Sequence, residues 1–296
     1  MINRKKAAIM ENMQRIGFLL TAGICMLLCL HCEENPLDHS VISPIGRQIS
    51  GQATLVGETN HENIYVWLEG FNIGTYTDEM GEFQIFLPSP DSQGIAGRVN
   101  GIFYLYFYIA NYRVSMAQVM FADGELITSS GDFRADGKLN GVRALYKLLH
   151  IRTTVIPETV PENFEGDINV LVQLQAVSDS VNVVFPKITG GSSGVVFLRN
   201  ISSEDVFVYL PESVENIQMS EKIGPEIRYI PLVFRVRRGS LPSGRYEAIP
   251  YFFVEQDTLP PELLESLDPN VGEIGPDYLN IPFRRDGGQF TVQPLQ

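Results

Sequence analysis

The stretch Ile73–Leu87, IGTYTDEMGEFQIFL, decides the fold of this chain. Two short apolar runs flank the polar segment Thr77–Gly81, which carries the Asp and Gly residues of a tight turn. We expect Asp78 to accept backbone N–H bonds in an Asx turn and Gly81 to adopt a positive φ angle. The hairpin then closes just before Phe83 re-enters the core. Similar runs recur along the chain with turn residues at roughly 8–12-residue intervals, which predicts an all-β fold of sandwich type.

An ordered motif lies on both sides of this turn. It reads Ile49-x-Gly51, then Val66-x-Leu68-Glu69-Gly70, then Gly74-x-x-Thr77-Asp78-x-x-Gly81-x-Phe83-x-Ile85. In this order the motif resembles the carboxypeptidase-regulatory-like, transthyretin-like family. The resemblance implies a β-sandwich over residues 47–139, with Gly70, Asp78 and Gly81 in structural turns. It also implies a binding or structural role, because the family is non-enzymatic.

The segment Gly101–Ala110, GIFYLYFYIA, is predicted to be a strand with two apolar faces. Alternation places Phe103, Leu105, Phe107 and Ile109 on one face and Tyr104, Tyr106 and Tyr108 on the other. The three tyrosines form a candidate stacking platform for a sugar, since the sandwich of the family is related in shape to carbohydrate-binding modules. The alternative is a central strand whose tyrosines lie under a neighbouring loop.

The rest of the chain is predicted to contain a second β-sandwich domain over residues 165–296. Residues 140–164 are interpreted as a connecting segment, in which Leu145, Leu148 and Leu149 lie on a short helix or on a strand that completes the first sheet. Beyond this segment, short apolar runs again alternate with turns. The candidate strands are 168–174, 181–185, 195–198, 206–210, 230–236, 246–254, 277–283 and 289–292.

Two local patterns refine this second domain. Leu241-Pro242-x-Gly244-x-Tyr246 resembles the turn before the penultimate strand of many immunoglobulin-like sandwiches. Thr258–Leu267, TLPPELLESL, is predicted to be a short acidic helix, because proline is tolerated in the first turn of a helix. We therefore expect an immunoglobulin-like sandwich with one short helix between its strands.

Residues 1–32 have the pattern of an export signal. Arg4–Lys6 and Arg15 form a basic region, and Ile16–Leu30 follows as a 15-residue run without a charge. A helix that spans a bilayer needs about 20 apolar residues, so this run fits the apolar region of a signal better than a membrane span. The alternative is an ordinary buried N-terminal helix.

All three cysteines, Cys25, Cys29 and Cys32, lie in this segment. A secreted domain held by disulfides would have the opposite distribution. A Cys that ends an apolar run and precedes a polar stretch resembles a bacterial lipoprotein signal, in which the Cys is acylated and becomes the first mature residue. We therefore predict lipidation at Cys32, a polar tether over residues 33–46, and an exported protein anchored to a membrane, periplasmic or on the cell surface. An uncleaved anchor is the alternative.

The charge distribution excludes one class of partner. The formal net charge is -13, and residues 1–32 hold four basic and one acidic side chain, or +3, which leaves -16 for the remainder. Such a surface repels phosphate backbones, so nucleic acid is excluded as a partner. The charge is that of an extracytoplasmic protein kept soluble by its acidic surface.

The histidines do not have the spacing of a zinc peptidase. They are His31, His39, His61 and His150, and none has a second His at helix spacing. Since zinc catalysis needs two or three such ligands, no metal and no cofactor is predicted. His61 is expected in a polar, solvated loop and His150 at the edge of an apolar run. Gly190–Gly194, GGSSG, has the spacing Gly-x-Ser-x-Gly, but it lies between two candidate strands and not before a helix, so it does not predict the elbow of a serine nucleophile.

Two further clusters are interpreted as turns. Gly190–Gly194, GGSSG, lies between candidate strands and lacks the Lys of a phosphate loop, so a flexible hairpin is favoured over an anion cradle. Asp123, Asp132 and Asp136 do not have the spacing of a helix–loop–helix calcium site. Hairpin turns are favoured for these three residues, and calcium chelation is the alternative.

These patterns together predict a non-enzymatic, lipid-anchored protein of the cell envelope that binds or scaffolds a protein partner. One alternative is a carbohydrate-binding accessory protein that uses the face of Tyr104, Tyr106 and Tyr108. Another is an enzyme with a carboxylate pair, since carboxylates are plentiful in so acidic a chain and their number alone does not exclude glycoside hydrolysis.

Overall fold

The computed structural model describes residues 47–93, 98–128, 131–188, 194–210 and 214–295. Cys32, the predicted signal and the predicted tether lie outside these residues. Within them the chain is folded mainly into strands, which confirms the predicted all-β class. The described residues belong to one compact unit.

The first strands of the described chain form two sheets. These strands are β1 (Gln48–Leu55), β2 (Tyr65–Leu68), β3 (Ile73–Tyr76), β4 (Glu82–Phe86), β5 (Gly101–Tyr108), β6 (Ser115–Ala122), β7 (Glu125–Ile127) and β8 (Lys138–Leu145). One sheet has the order β4-β1-β8, and the other has the order β3-β2-β5-β6-β7. β1 and β8 run parallel, and the other neighbours in these two sheets are antiparallel.

These two sheets enclose the first hydrophobic core. In β1 every second residue is buried, including Ile49, Ala53 and Leu55, because alternate side chains point to opposite faces of a strand. Gly51 belongs to the buried set, since a Cβ atom at this position would lie 2.6 Å from the Cβ of Leu139. The buried members of the first core are Ile49, Ala53, Leu55, Ile64, Val66, Leu68, Phe83, Ile85, Leu87, Leu105, Phe107, Ile109, Tyr112, Ala117, Val119, Phe121, Phe133, Leu139 and Leu145.

The turn between β3 and β4 has the predicted geometry. The Oδ1 atom of Asp78 accepts hydrogen bonds from the backbone N–H groups of Met80 and Glu82, at 2.9 and 2.8 Å. Gly81 adopts a φ angle of +80°, and Phe83 is buried directly after it. The carboxylate therefore satisfies the N–H groups that a tight turn leaves without a strand partner.

The second group of strands forms three further sheets. These strands are β9 (Leu149–Ile156), β10 (Thr159–Pro161), β11 (Gly166–Ala176), β12 (Val181–Ile188), β13 (Val196–Asn200), β14 (Val206–Tyr209), β15 (Val214–Ile223), β16 (Arg228–Val236), β17 (Gly244–Pro250), β18 (Phe253–Val254), β19 (Asp286–Gly287) and β20 (Gln289–Gln293). The sheet orders are β10-β20-β17-β13-β14, β16-β11-β9-β19 and β15-β12-β18. The β10–β20 and β9–β19 pairs are parallel.

A second hydrophobic core lies among these sheets. Tyr246 is fully buried in it and stacks on Phe290, with ring centroids 5.5 Å apart. The buried members of the second core are Leu149, Ile151, Val155, Val160, Ile168, Val170, Val172, Leu174, Ala176, Val181, Val183, Val196, Leu198, Ile223, Leu232, Phe234, Val236, Leu241, Tyr246, Ala248, Phe252, Val254, Phe290 and Val292.

The region predicted to connect the two domains is folded into strands. Leu145 ends β8, which completes the sheet of β4 and β1, so the strand alternative is correct for this residue and the helix alternative is wrong. Leu149 begins β9, which pairs with β11 along its whole length and so belongs to the second group of sheets. The change of sheet takes place within the three residues between β8 and β9.

The predicted strand at residues 277–283 is wrong. A 3₁₀-helix covers Pro276–Asn280, and no strand follows before β19. Tyr278 and Ile281 are buried, and their spacing of three is that of a helical turn. The predicted short helix is confirmed as α1 (Pro261–Leu267). The sequence pattern did not indicate β10 or β15.

Gly81 and Gly57 allow the turn geometry to be tested with a matched pair of substitutions. Both residues have positive φ angles, but a Cβ at Gly81 would lie 1.9 Å from the Ala53 carbonyl oxygen, whereas a Cβ at Gly57 meets no atom within 4 Å. We expect Gly57→Ala to lower the free energy of unfolding by about 1 kcal/mol, the cost of a left-handed residue. Gly81→Ala should lower it by about 2 kcal/mol more, because of the clash. Urea unfolding measures both, and equal effects would contradict the geometry.

Candidate functional site

The tyrosines of the predicted sugar platform lie in a row on β5, on the face opposite the first core. Tyr106 and Tyr108 are 7% and 3% exposed, whereas Tyr104 is half-buried. The second group of strands and the segments after it cover this face. A sugar ring therefore cannot stack on Tyr106 or Tyr108 unless that part of the chain moves away.

The residues that meet on this face form a third hydrophobic core, which we call the aromatic junction. Its buried members are Tyr65, Trp67, Tyr106, Tyr108, Ala110, Val114, Val195, Phe197, Ile249, Tyr251, Leu263, Val271, Tyr278 and Ile281. Members up to residue 114 come from the first group of strands and the β5–β6 connection. Members from residue 195 onward come from β13, β17, α1 and the segments around them. The two groups of strands are therefore joined by a buried apolar interface as well as by the chain itself.

Tyr278 lies at the centre of the aromatic junction and is fully buried. Its ring is stacked on Phe197 at 5.4 Å and lies 4.6 Å from the ring of Tyr251. Its hydroxyl donates to the carbonyl oxygen of Phe252 at 2.8 Å and accepts from the N–H of Phe252 at 3.2 Å. The guanidinium of Arg285 donates to the hydroxyl oxygen of Tyr278 at 3.1 Å. The phenol thus satisfies polar groups that the apolar surroundings would leave without partners.

Burial in the aromatic junction raises the pKa values of its tyrosines. Desolvation raises the pKa of Tyr108 far above its ordinary value, with a smaller contribution from Tyr278. Desolvation, Tyr278 and Glu273 together raise the pKa of Tyr251 to about 12. These phenols stay neutral at physiological pH, because burial disfavours their charged form.

The side-chain amide of Asn111 links the segment between β5 and β6 to Arg284. Asn111 is fully buried, and its Nδ2 donates to the carbonyl oxygen of Arg284 while its Oδ1 accepts from the N–H of Arg284, both at 2.9 Å. Gln256 makes a similar pair of bonds to the carbonyl of Tyr112 (2.9 Å) and the N–H of Val114 (2.8 Å). Neither Asn111 nor Gln256 belongs to a recognisable motif, so the sequence alone does not predict these hydrogen bonds.

A carboxylate–lysine pair lies beside this connection. Glu58 accepts from Lys147 Nζ at 2.5 Å and from the Tyr112 hydroxyl at 3.0 Å. The hydrogen bond from Lys147 holds the pKa of Glu58 below its ordinary value, against the opposing effect of burial. Burial lowers the pKa of Lys147, but its hydrogen bonds to Glu58 and Tyr112 outweigh that effect and raise it. A lysine held protonated in this way is not a nucleophile.

The structure describes two of the four histidines, His61 and His150. The Nδ1 atom of His61 accepts from the Leu55 N–H at 3.2 Å, and its carbonyl oxygen accepts from the buried Thr77 hydroxyl at 2.6 Å. His61 therefore organises the β1–β2 loop and is not simply solvated. His150 is exposed on β9. His31 and His39 lie outside the described residues.

The three aspartates considered for calcium take part in turns. Asp123 has a positive φ angle in the β6–β7 turn, and Asp136 Oδ1 accepts from the Lys138 N–H at 3.1 Å. Asp132 pairs with Arg143 at 2.6 Å. Across the described ranges, no group of three or more His, Cys, Asp or Glu side chains is placed to hold a metal ion. Residues 190–193 of the predicted glycine-rich hairpin lie outside those ranges.

Among the cavities that the described residues line, two differ clearly in character. One, of about 270 Å³, has walls that are mainly apolar, including Phe185, Met219 and Tyr229. The other, of about 360 Å³, is lined by polar groups between the β13–β17 pair and residues 279–285. Both approach or reach the size of small-ligand sites, which begins at about 300 Å³.

Comparison with known proteins adds no family to this description. No protein-family model matches the chain, and no curated protein matches it. Among the described residues, no helix is both long and apolar enough to cross a membrane. The family resemblance and the lipid anchor therefore stay predictions that rest on their own residues.

The hydroxyl of Tyr278 offers a test of the aromatic junction. Tyr278→Phe keeps the ring but leaves the backbone groups of Phe252 without their buried partner, so we expect the free energy of unfolding to fall by about 1–3 kcal/mol. Tyr229→Phe is the matched control, because Tyr229 is 47% exposed on β16 and should change stability by less than about 0.5 kcal/mol. Chemical unfolding followed by circular dichroism measures both, and a neutral Tyr278→Phe would contradict the assigned hydrogen bonds.

Proposed function

We propose that this chain is an exported, lipid-anchored, non-enzymatic protein of the cell envelope that acts as a binding or scaffolding module. The observation that carries the proposal is the order of segments along the chain. A basic region and a 15-residue apolar run lead to Cys32, and the polar residues 33–46 precede the all-β unit. Fully extended, that tether reaches at most about 50 Å. An acylated Cys32 would hold the folded unit within this distance of a membrane.

We also propose that the folded unit consists of two β-sandwich modules. For the first, the support is the Asp78 turn and the two sheets around one core, as the carboxypeptidase-regulatory-like resemblance implies. For the second, the support is the strand order β10-β20-β17-β13-β14, which faces β16-β11-β9 across the second core. The hydroxyl of Tyr246 donates to the Pro242 carbonyl at 2.8 Å, the bond of a tyrosine corner in immunoglobulin-like sandwiches.

The shifted pKa values support a non-enzymatic role. The tyrosine shifts arise chiefly from burial, and the Glu58 and Lys147 shifts arise within their own ion pair. A sugar platform on Tyr104, Tyr106 and Tyr108 is not part of the proposal, because two of the three rings are covered.

Metabolic labelling tests the lipid anchor. Cells that express the full chain and are fed a palmitate analogue should label the wild type but not Cys32→Ala, because Cys32 is the proposed site of the lipid. Cys29→Ala is the control and should be labelled like the wild type. Equal labelling of the wild type and Cys32→Ala would contradict the anchor at Cys32.

Cross-linking and a glycan array test the binding partner. We expect cross-linking of intact envelopes to give one reproducible protein adduct, and the purified protein to give no signal from uncharged glycans on the array. Array binding that is lost in Tyr104→Ala but kept in Tyr146→Ala would overturn this expectation in favour of a sugar ligand. Tyr104 is the residue of choice because it is half-buried, whereas replacing Tyr106 or Tyr108 would also open the aromatic junction. Tyr146 is a 59% exposed control.

A further inference from the structure

The polar cavity beside the aromatic junction concentrates positive charge in an acidic protein. Its lining includes Arg199, Arg284 and Arg285 and one carboxylate, Glu247. The chain as a whole has a formal net charge of -13. We call this cavity of about 360 Å³ the arginine cavity.

The charges in the arginine cavity are only partly neutralised by the protein. Arg199 pairs with Glu247 at 2.6 Å. Arg284 instead donates to the backbone carbonyl of Glu62, and Arg285 donates to the phenol of Tyr278. Within the described chain, neither Arg284 nor Arg285 forms an ion pair. The charge of Arg284 helps to lower the pKa of Glu58, but Glu58 is already paired with Lys147. Two guanidinium charges therefore lie beside the cavity without a carboxylate of their own.

Most of the donors of these arginines are unused. A guanidinium carries five N–H donors, and in the described structure each of the three side chains uses one of them in a hydrogen bond. The Nε atoms of Arg284 and Arg285 are buried and have no hydrogen-bond partner among the described residues. Unsatisfied buried donors cost about 1–3 kcal/mol each, so natural structures rarely keep them without a reason.

The arginines are also held in place before any ligand arrives. The guanidinium of Arg285 lies 3.9 Å from the centre of the Phe283 ring. The backbone of Arg284 is bound on both sides by the amide of Asn111. Planar guanidinium groups fixed in this way bind carboxylate or phosphate oxygens through paired, charge-assisted hydrogen bonds.

The remaining lining residues carry no charge, and six of them are apolar: Ile109, Ile249, Leu279, Ile281, Pro282 and Phe283. Asn63 and Asn280 contribute amides, and Tyr76, which is 46% exposed, contributes a phenol. The volume is larger than a bare oxyanion needs and lies in the range of small-molecule sites. We propose that the arginine cavity binds a small molecule of about the size of a sugar that carries an oxyanion, either a carboxylate or a phosphate. This site goes beyond the proposed function, because it does not depend on the lipid anchor or on a protein partner.

Calorimetric titration of the purified protein tests the proposal. The probes are glucuronate, glucose 6-phosphate and neutral glucose, at constant ionic strength. We expect saturable binding of at least one charged sugar and none of glucose. Binding of glucuronate alone would identify the carboxylate as the source of the oxyanion, and binding of glucose 6-phosphate alone would identify the phosphate. No binding of either charged sugar at about 10 mM, or equal binding of glucose, would overturn the proposal.

Three variants separate this site from general charge effects. Arg199→Gln should weaken the binding of the charged sugar at least fivefold. Glu247→Gln removes the competing carboxylate and should strengthen binding several-fold, a gain that misfolding cannot mimic. Arg228→Gln is the matched control, because Arg228 also pairs with a carboxylate, Glu221, at 2.6 Å but outside the arginine cavity. An equal loss in Arg199→Gln and Arg228→Gln, or weaker binding by a folded Glu247→Gln, would overturn the proposal.

Discussion

The rest of the structure depends on the burial of β5 on both of its faces. Leu105 and Phe107 pack into the first core, while Tyr106 and Tyr108 between them pack into the aromatic junction. A one-residue slip of this strand would exchange the face of Leu105 and Phe107 with the tyrosine face, so its register is fixed from both sides. The second group of strands therefore packs against the outer face of β5, the same strand whose inner face closes the first core.

Polar bonds at the margin of the aromatic junction complement this apolar contact. The amides of Asn111 and Gln256 hold the β5–β6 connection against residues that are more than 140 positions further along the chain. Inside the aromatic junction, the hydroxyl of Tyr278 makes hydrogen bonds to the backbone of Phe252. The arginine cavity is lined from both sides of this contact, which means that its shape exists only while the two groups of strands stay together.

The predictions that proved correct depend on local chemistry. The Asp78 turn, the positive φ angle of Gly81 and the α1 helix follow from residues a few positions apart. The strand predicted at residues 277–283 was wrong because the burial of Tyr278 depends on a partner surface elsewhere in the fold. The candidate platform was recognised as a row of tyrosines, but nothing in β5 itself indicates what covers that row.

The sequence by itself determined the all-β class, the two faces of β5 and the chemistry of the hairpin that starts at residue 73. It determined these because strand alternation and turn preferences act over a few residues. Only the tertiary structure decided that the tyrosine face is an internal interface, and that Arg199 meets Arg284 and Arg285 around one cavity. The physical reason is that both outcomes depend on contacts between residues far apart in the chain, which no local pattern records.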